Sequence, residues 1–131
     1  MSVGLLLITH ENVASILLET SKQILNTCPL ATQVLEVPLD APVAETLTQA
    51  KNLMFSLDSG HGVLILTDIF GGTPANIGKH LCGDFDCKLV SGINLPMLIR
   101  ILNYPQLNLE SMALKAVSGG HDGIILCECQ E

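Results

Sequence analysis

Short apolar segments alternate with amphipathic stretches along the whole chain. The apolar segments predict strands at Val3–His10, Val34–Val37, Val63–Thr67, Lys88–Ser91 and Gly123–Cys129. The amphipathic stretches predict five helices. The first spans 12–27 with Asn12 as its cap, the second runs from Pro42 to about Leu57, and the third runs from about Pro74 to Leu81. The fourth spans 95–102, and the fifth runs from Asn108 or Ser111 to a break at Gly119-Gly120. Strands that alternate with helices in this way are typical of an α/β domain.

Two of these segments, Val3–His10 and Val63–Thr67, are apolar at almost every position rather than at every second one. Such strands lie in parallel sheets that helices cover on both faces. The pattern therefore predicts a three-layer α/β/α fold with a mostly parallel central sheet. For the last strand, from Ile124 to Cys129, three placements are open: parallel to the others, at an edge of the sheet, or against a partner subunit. We expect the edge. With 131 residues, 48% of them hydrophobic, we expect one domain over residues 1–131.

Polar residues gather where the predicted strands end. Thr9-His10, Thr67-Asp68 and Ser91-Gly92 each close a strand. In open parallel sheets, ligands bind just beyond the carboxyl ends of the strands, and these ends share one edge. The pattern therefore predicts a site at that edge, with His10 and Asp68 as a candidate reactive pair.

A glycine-rich turn follows Asp68 and leads into the third predicted helix. Gly71-Gly72 allows a tight turn with unshielded amides, and Thr73-Pro74 opens the helix. The positive end of that helix is suited to hold a phosphoryl group. The segment lacks the Gly-Lys-Ser/Thr ending of a P-loop, and no Gly-x-Gly-x-x-Gly occurs. We expect a phosphoryl group to contact the Thr73 hydroxyl and to lie among Thr9, Gly71, Gly72 and Ser91.

The chemistry of this pair depends on the two nitrogens of the imidazole. A carboxylate that accepts from one nitrogen fixes the tautomer and leaves the other as a nucleophile. His10 beside Asp68 and an anion site therefore fits a transient phosphohistidine. The simpler interpretations remain open at this point: His10 ends a strand, and Asp68 caps the turn after it. The remaining histidines, His61, His80 and His121, are predicted to be exposed in turns or near a helix end.

The composition of the chain disfavours several other classes of protein. The net charge is −7 with six Lys and Arg, and four residues are aromatic, which disfavours nucleic-acid binding. No apolar run approaches a membrane span and no basic leader is visible, so a cytoplasmic protein is expected. The five cysteines are expected to be reduced, with Cys127 and Cys129 as small buried side chains. Cys82 and Cys87 are poorly spaced for zinc, and no metal site is predicted.

The chain resembles the IIA domains of the mannose family of the bacterial phosphoenolpyruvate:sugar phosphotransferase system over essentially its full length. The motifs that carry the resemblance are Ile8-Thr9-His10, the segment Asp68–Asn76, and the segment Ser91–Leu98. The first is too short to be specific, whereas the second and third, in this order and spacing, are highly specific.

The resemblance implies that His10 accepts a phosphoryl group from the phosphocarrier HPr and passes it to a IIB protein. It also implies that Asp68 orients His10, and that Thr73 stands where the family often has serine. It further implies a homodimer that exchanges the strand Ile124–Cys129, no metal or organic cofactor, and association with membrane permease subunits without insertion into the membrane.

Two features depart from the family pattern. Glu11 follows the histidine where glycine is frequent, and the chain ends at Glu131, so a separate IIB partner is expected. The alternatives are a regulatory module that signals by its phosphorylation state and the IIA-like subunit of a phosphoenolpyruvate-dependent dihydroxyacetone kinase. A receiver phosphorylated on Asp68 would need an acidic pair after the first strand, where this chain has Thr9-His10.

Overall fold

The computed structural model describes residues 2–129 and alternates strands with helices as the sequence predicts. The strands are β1 (Gly4–His10), β2 (Thr32–Val37), β3 (Val63–Thr67) and β4 (Cys87–Ser91). The helices are α1 (Val13–Leu25), α2 (Val43–Leu57), α3 (Thr73–Asp84), α4 (Leu95–Leu102) and α5 (Leu109–Asp122). All five predicted helices and the first four predicted strands are therefore present.

The four strands form one sheet in the order β2-β1-β3-β4, and every neighbouring pair is parallel. Ile8 on β1 pairs with Thr67 on β3, and Thr67 pairs with Ser91 on β4. The carboxyl ends of these strands are therefore aligned at one edge. The prediction of a parallel α/β sheet is confirmed.

The central strands bury both of their faces, because successive side chains point to opposite sides of a sheet. Leu5 and Leu7 of β1 pack into a cluster with side chains of α1, α4 and α5. Leu6 and Ile8 pack into a second cluster with α2 and α3. Each of these four side chains is fully buried, and full burial of such a side chain stabilises the fold by roughly 1.5–3 kcal/mol. The result is the predicted three-layer arrangement.

The start of α1 differs from the prediction. Asn12 takes a left-handed conformation (φ 72°) and makes no capping hydrogen bond through its side chain. The Thr9 hydroxyl accepts instead from the Ala14 amide at 3.0 Å, and the Glu36 carboxylate accepts from the Ser15 amide at 2.8 Å. Side chains of β1 and β2 thus cap α1, whereas the sequence predicted a cap from Asn12 in the turn.

The predicted break at Gly119-Gly120 is also wrong, because α5 continues to Asp122. A Cβ on Gly119 would lie 2.6 Å from Arg100 Cβ, and one on Gly120 would lie 3.0 Å from Met97 Cε. The glycines allow α5 to approach α4 closely, and this packing outweighs their low helix propensity.

The predicted last strand is absent from this single chain. The structure shows no strand beyond β4 within residues 2–129, and 124–129 are exposed throughout. Leu126 is 94% exposed, and Cys127 and Cys129 are exposed rather than buried as predicted. A strand needs a neighbour for its backbone hydrogen bonds, and this segment has none in the described part of one chain.

Candidate active site at the carboxyl edge of the sheet

His10 and Asp68 meet at the carboxyl edge of the sheet, as the sequence predicts. His10 is the last residue of β1, and Asp68 directly follows β3. Asp68 Oδ2 lies 2.9 Å from His10 Nδ1 and accepts a second hydrogen bond of 3.0 Å from the His10 amide. The His10 side chain is 35% exposed and the Asp68 side chain is 15% exposed. The imidazole is therefore accessible at the protein surface, and the carboxylate lies deeper beneath it.

The contacts of Asp68 favour its ionised form. Burial raises the pKa of this carboxyl group, but hydrogen bonds from the His10 amide and ring and the charge of the imidazolium lower it by more. The pKa of Asp68 is therefore below its ordinary value. A second oxygen, Oδ1, accepts from the Ile69 amide at 3.0 Å and holds the carboxylate in place.

This arrangement determines which imidazole nitrogen is free to react. An ionised carboxylate can only accept a hydrogen bond, so Nδ1 carries the proton in the contact with Asp68. In the neutral ring, Nε2 then has an unshared electron pair. The geometry therefore leaves Nε2 of His10 as the nitrogen that can act as a nucleophile.

The glycine turn brings the start of α3 against the histidine. Gly71 has φ 93°, a conformation that glycine adopts without strain, and Gly72 is the N-cap residue of α3. A Cβ on Gly72 would lie 3.4 Å from His10 Cε1, the carbon bonded to Nε2. The Thr73 side chain does not cap the helix and is exposed. The predicted anion site therefore borders the His10 ring.

Thr9 does not have the predicted position for a phosphoryl contact. It is fully buried, its hydroxyl donates to the His10 carbonyl at 2.7 Å, and the same hydroxyl accepts from Ala14. Both hydrogen bonds position the backbone around His10 and the start of α1. Thr9 therefore supports the site without facing it.

Ser91 lies farther along the same edge. Its hydroxyl is 2.8 Å from the hydroxyl of Thr67, which is fully buried. Strand β3 lies between β4, which carries Ser91, and β1, which carries His10. The structure thus brings Asp68 and Gly72 directly to His10 and leaves Ser91 one strand away.

An apolar rim, defined here as Leu39, Ile69 and Phe70, was not predicted from the sequence. Leu39 and His10 line a shallow cleft of about 340 Å³, and Leu39 is 94% exposed. Ile69 and Phe70 are exposed in the turn after β3, and Lys79 Nζ lies 4.3 Å from the centre of the Phe70 ring. The signal that the sequence offered for this rim was the presence of large apolar residues inside predicted turns.

The other candidate groups lie elsewhere. His61, His80 and His121 are exposed, as predicted. Within residues 2–129, no group of three metal-ligating side chains is close enough to bind an ion. In the same range, no helix has the length and apolar character to cross a membrane.

Comparison with known proteins identifies the family of the chain. Residues 4–117 match the family described as "PTS system fructose IIA component". The chain is 29% identical over 128 residues to the "PTS system mannose-specific EIIAB component" of Escherichia coli K12. That alignment covers 95% of this chain and 39% of the relative, so the chain spans about two fifths of its length. The chain is also 41% identical over 56 residues to the "PTS system fructose-specific EIIA component" of Bacillus subtilis. That alignment covers 42% of this chain and 36% of the relative.

Solved structures show the same fold. A mannose/sorbose specific IIA subunit from Enterococcus faecalis has a TM-score of 0.89 at 22% identity and covers 100% of this chain and 98% of its own. The IIA protein associated with the fucose utilization operon of Streptococcus pneumoniae has a TM-score of 0.78 at 25% identity, covering 96% of each chain. From the family match over most of its length, the chain belongs to the mannose-type IIA family of the phosphotransferase system.

Proposed function

We propose that this protein is a cytoplasmic phosphocarrier of a sugar phosphotransferase system. His10 accepts a phosphoryl group from phosphorylated HPr and passes it to a IIB component. The observation that carries this proposal is the 2.9 Å contact between His10 Nδ1 and Asp68, which leaves Nε2 free beside the start of α3. Membership in the IIA family supports the same role.

The proposed reaction is a direct transfer between two nitrogen atoms. Nε2 of His10 attacks the phosphorus, a new N–P bond forms, and the N–P bond to the HPr histidine breaks. The electron pair of the broken bond returns to the HPr imidazole. Asp68 keeps the proton on Nδ1 and stabilises the positive charge that the His10 ring acquires.

The start of α3 is suited to stabilise the phosphoryl oxygens during this step. The first N–H groups of a helix lack partners within the helix, and the helix dipole places positive potential at that end. Gly72 and Thr73 occupy this position, and Gly72 lies against the His10 ring. We propose that their amides and the Thr73 hydroxyl contact the phosphoryl group.

The donor and the acceptor are both proposed to be proteins. His10 lies at a rim rather than inside a closed cavity, so the group that carries the phosphoryl must be presented from outside. The apolar rim offers contact area to such a partner next to the nucleophile. The name of the Escherichia coli relative joins an A and a B component, which supports a IIB domain as the acceptor.

A homodimer is the proposed assembly. Among residues 2–129, β4 has a partner strand only on its β3 side, so its outer edge is open. The exposed segment Ile124–Cys129 contains three consecutive large apolar residues, Ile124, Ile125 and Leu126. We propose that this segment of a second copy pairs with the open edge of β4, which would give the predicted fifth strand its neighbour.

Phosphorylation of purified full-length protein tests the function. With phosphoenolpyruvate, enzyme I and HPr, the protein is expected to gain one phosphoryl group that is acid-labile and alkali-stable. The matched variant His80→Ala, which removes an exposed histidine of α3, is expected to behave in the same way. His10→Ala is expected to gain none. Phosphorylation of His10→Ala at the normal rate would overturn the proposal, and a IIB domain is expected to remove the group from His10.

A further inference from the structure

Lys79, an exposed residue of α3, places a positive charge beside the turn that joins β3 to α3. Its Nζ lies 4.3 Å from the centre of the Phe70 ring, in the middle of that turn, which is a cation–π contact. Asp68 at one end of the turn hydrogen-bonds to His10, and Gly72 at the other end lies against the His10 ring. The ammonium group is therefore held next to a turn whose two ends both meet His10.

The position of Lys79 along α3 also directs its side chain toward the start of the helix. Lys79 follows Gly72 by about two helical turns, so the two residues share one side of the helix. Helical side chains lean toward the amino-terminal end of their helix, which is where the Phe70 ring lies. Lys79 and Thr73 line one cavity of about 530 Å³ between α2 and α3. The ammonium group and the predicted phosphoryl contact of Thr73 are thus neighbours.

The other five basic residues are placed differently; they are Lys22, Lys51, Lys88, Arg100 and Lys115. Two of them, in the last turn of α1 and near the start of β4, lie toward the opposite edge of the sheet. Two others form ion pairs with aspartates, and the fifth lies over the Tyr104 ring. Among residues 2–129, no carboxylate lies within 4.0 Å of the Lys79 ammonium. Its charge is therefore available to another anion.

The charges around His10 are otherwise negative. Glu11 is exposed and lines the same shallow cleft as His10, Asp68 is ionised beneath the imidazole, and the chain as a whole carries a net charge of −7. A phosphoryl group adds about two negative charges at neutral pH. Repulsion between these charges and the nearby carboxylates opposes phosphorylation, and a cation at the same edge of the sheet offsets it.

We propose that Lys79 supplies the positive charge that stabilises the dianionic phosphoryl group on His10, and that it thereby sets how far the transfer from HPr proceeds. This inference rests on the proposed function. Lys79 forms no bond to phosphorus and moves no proton, so its contribution is electrostatic. The Phe70 ring holds the ammonium group at the site without neutralising it, because the ring carries no net charge.

The test is the equilibrium of phosphoryl transfer between purified phosphorylated HPr and this protein, measured by ³¹P NMR in the absence of enzyme I. The equilibrium constant compares the phosphorylated and free proteins, so it does not depend on how fast the partners dock. A cation about 8–10 Å from a dianion in water at low ionic strength changes such a constant by about threefold. We expect Lys79→Gln to lower the constant by about threefold at ~10 mM salt and by much less at ~0.5 M, where screening is strong.

Two further variants separate the charge of Lys79 from other effects. Lys79→Arg keeps a cation that stacks on aromatic rings, and it is expected to have the wild-type constant. Lys115→Gln removes the same charge and a similar contact, since Lys115 Nζ lies 4.6 Å from the centre of the Tyr104 ring, but α5 packs on the other face of the sheet from α3. It is also expected to have the wild-type constant. An unchanged constant in Lys79→Gln, or an equal decrease in Lys79→Arg or Lys115→Gln, would overturn the inference.

A second measurement does not depend on HPr. Inorganic phosphate is titrated into the unphosphorylated protein, and the amide signals of Gly72 and Thr73 are followed by NMR. We expect Lys79→Gln to bind phosphate about threefold more weakly than wild type, and Lys115→Gln to bind it equally well. Equal affinities of wild type and Lys79→Gln, or no shift of these signals in wild type, would contradict the role of Lys79. If HPr transfers nothing to wild type, the proposed function is wrong, and this titration alone decides the role of Lys79.

Discussion

At the residue scale, Asp68 forms two hydrogen bonds to one neighbour. Its Oδ2 accepts from the backbone amide of His10 and from the ring of the same residue. The first contact fixes the end of β1, and the second fixes the orientation and tautomer of the imidazole. Loss of the negative charge should therefore affect reactivity more than it affects the fold.

We expect Asp68→Asn to slow phosphorylation of His10 by about 10–100-fold, the usual effect of removing a group that orients a functional histidine. The amide can still accept from His10, but it cannot stabilise the imidazolium that forms during transfer. The measurement is the initial rate with limiting phosphorylated HPr. Asp84→Asn, which alters an exposed carboxylate at the far end of α3, is the matched control and should leave the rate unchanged. Equal rates for Asp68→Asn and wild type would remove the proposed role.

The lowered pKa of Asp68 also predicts how stability depends on pH. A carboxyl group whose pKa is lower in the folded state stabilises that state above its unfolded pKa of about 4, and this contribution is lost as the pH falls through the folded value. The free energy of unfolding of wild type minus that of Asp68→Asn should therefore shrink as the pH decreases from about 5 to about 2. Urea unfolding at several pH values measures it. A difference that stays constant over this range would contradict the pKa direction.

The sequence was sufficient for the His10–Asp68 pair because parallel strands bring their ends to one edge regardless of details. The sequence was insufficient to predict the role of Thr9, because a threonine at the end of β1 is equally suited to contact a phosphoryl group. Which role Thr9 has depends on whether its hydroxyl finds protein partners, and the Ala14 amide and the His10 carbonyl both lie within reach. Whether a hydroxyl bonds to the backbone or stays free for a ligand depends on three-dimensional distances, which cannot be read from the periodicity of the sequence.

At the scale of elements, the close approach of the α3 start to β1 determines the space available for a phosphoryl group. Gly72 is the point of contact, and a methyl group there would lie in van der Waals contact with the His10 ring, 3.4 Å from Cε1. Its φ of −85° is accessible to any residue, so a glycine here matters for the open space that it leaves beside the ring.

We expect Gly72→Ala to reduce the rate of His10 phosphorylation by about tenfold while the protein stays folded. The added Cβ would lie 3.4 Å from His10 Cε1, an ordinary van der Waals contact, and would occupy space beside the ring through which the phosphoryl group approaches. If it misplaces the incoming group by about 1 Å, a loss of up to about a hundredfold can follow. Gly83→Ala, at a position of the same helix with no atom within 4 Å of the added methyl, is the matched control. If both variants transfer at the wild-type rate, the proposed close approach has no functional role.

Helix positions were predictable because apolar residues recur with the helical period, whereas helix ends were less so. The cap of α1 comes from Thr9 and Glu36 on neighbouring strands, so the local residue Asn12 gave the wrong indication. In α5, Gly119 has a poor helix propensity in isolation, but it allows the close contact with Arg100 of α4. Tertiary packing outweighed local preference in both cases.

At the scale of the whole molecule, the open edge of β4 and the exposed segment 124–129 complement each other. Unpaired strand edges and exposed apolar residues are both features that a second chain can cover. The sequence indicated a strand in this segment from its composition. It could not supply the neighbour, because within the described residues no strand pairs with this segment.

We expect deletion of residues 124–131 to convert a dimer into a monomer at micromolar concentration. The deletion removes the proposed exchanged strand, whereas the site at His10 and Asp68 lies on other elements. Size-exclusion chromatography with light scattering measures the mass. Leu114→Asp, which alters an exposed apolar residue of α5, is the control and should stay dimeric. A full-length protein that is monomeric would contradict the proposed assembly, as would a deleted protein that stays dimeric.

The proposed phosphotransfer places the phosphoryl group on Nε2 of His10, because Asp68 occupies Nδ1. NMR spectroscopy of protein labelled with ¹⁵N-histidine and phosphorylated through HPr is the decisive measurement, since coupling to ³¹P identifies the modified nitrogen. We predict a single phosphohistidine, at position 10, with phosphorus bonded to Nε2. Phosphorus on Nδ1 of His10, or on another histidine, would contradict the proposed role of Asp68 and His10.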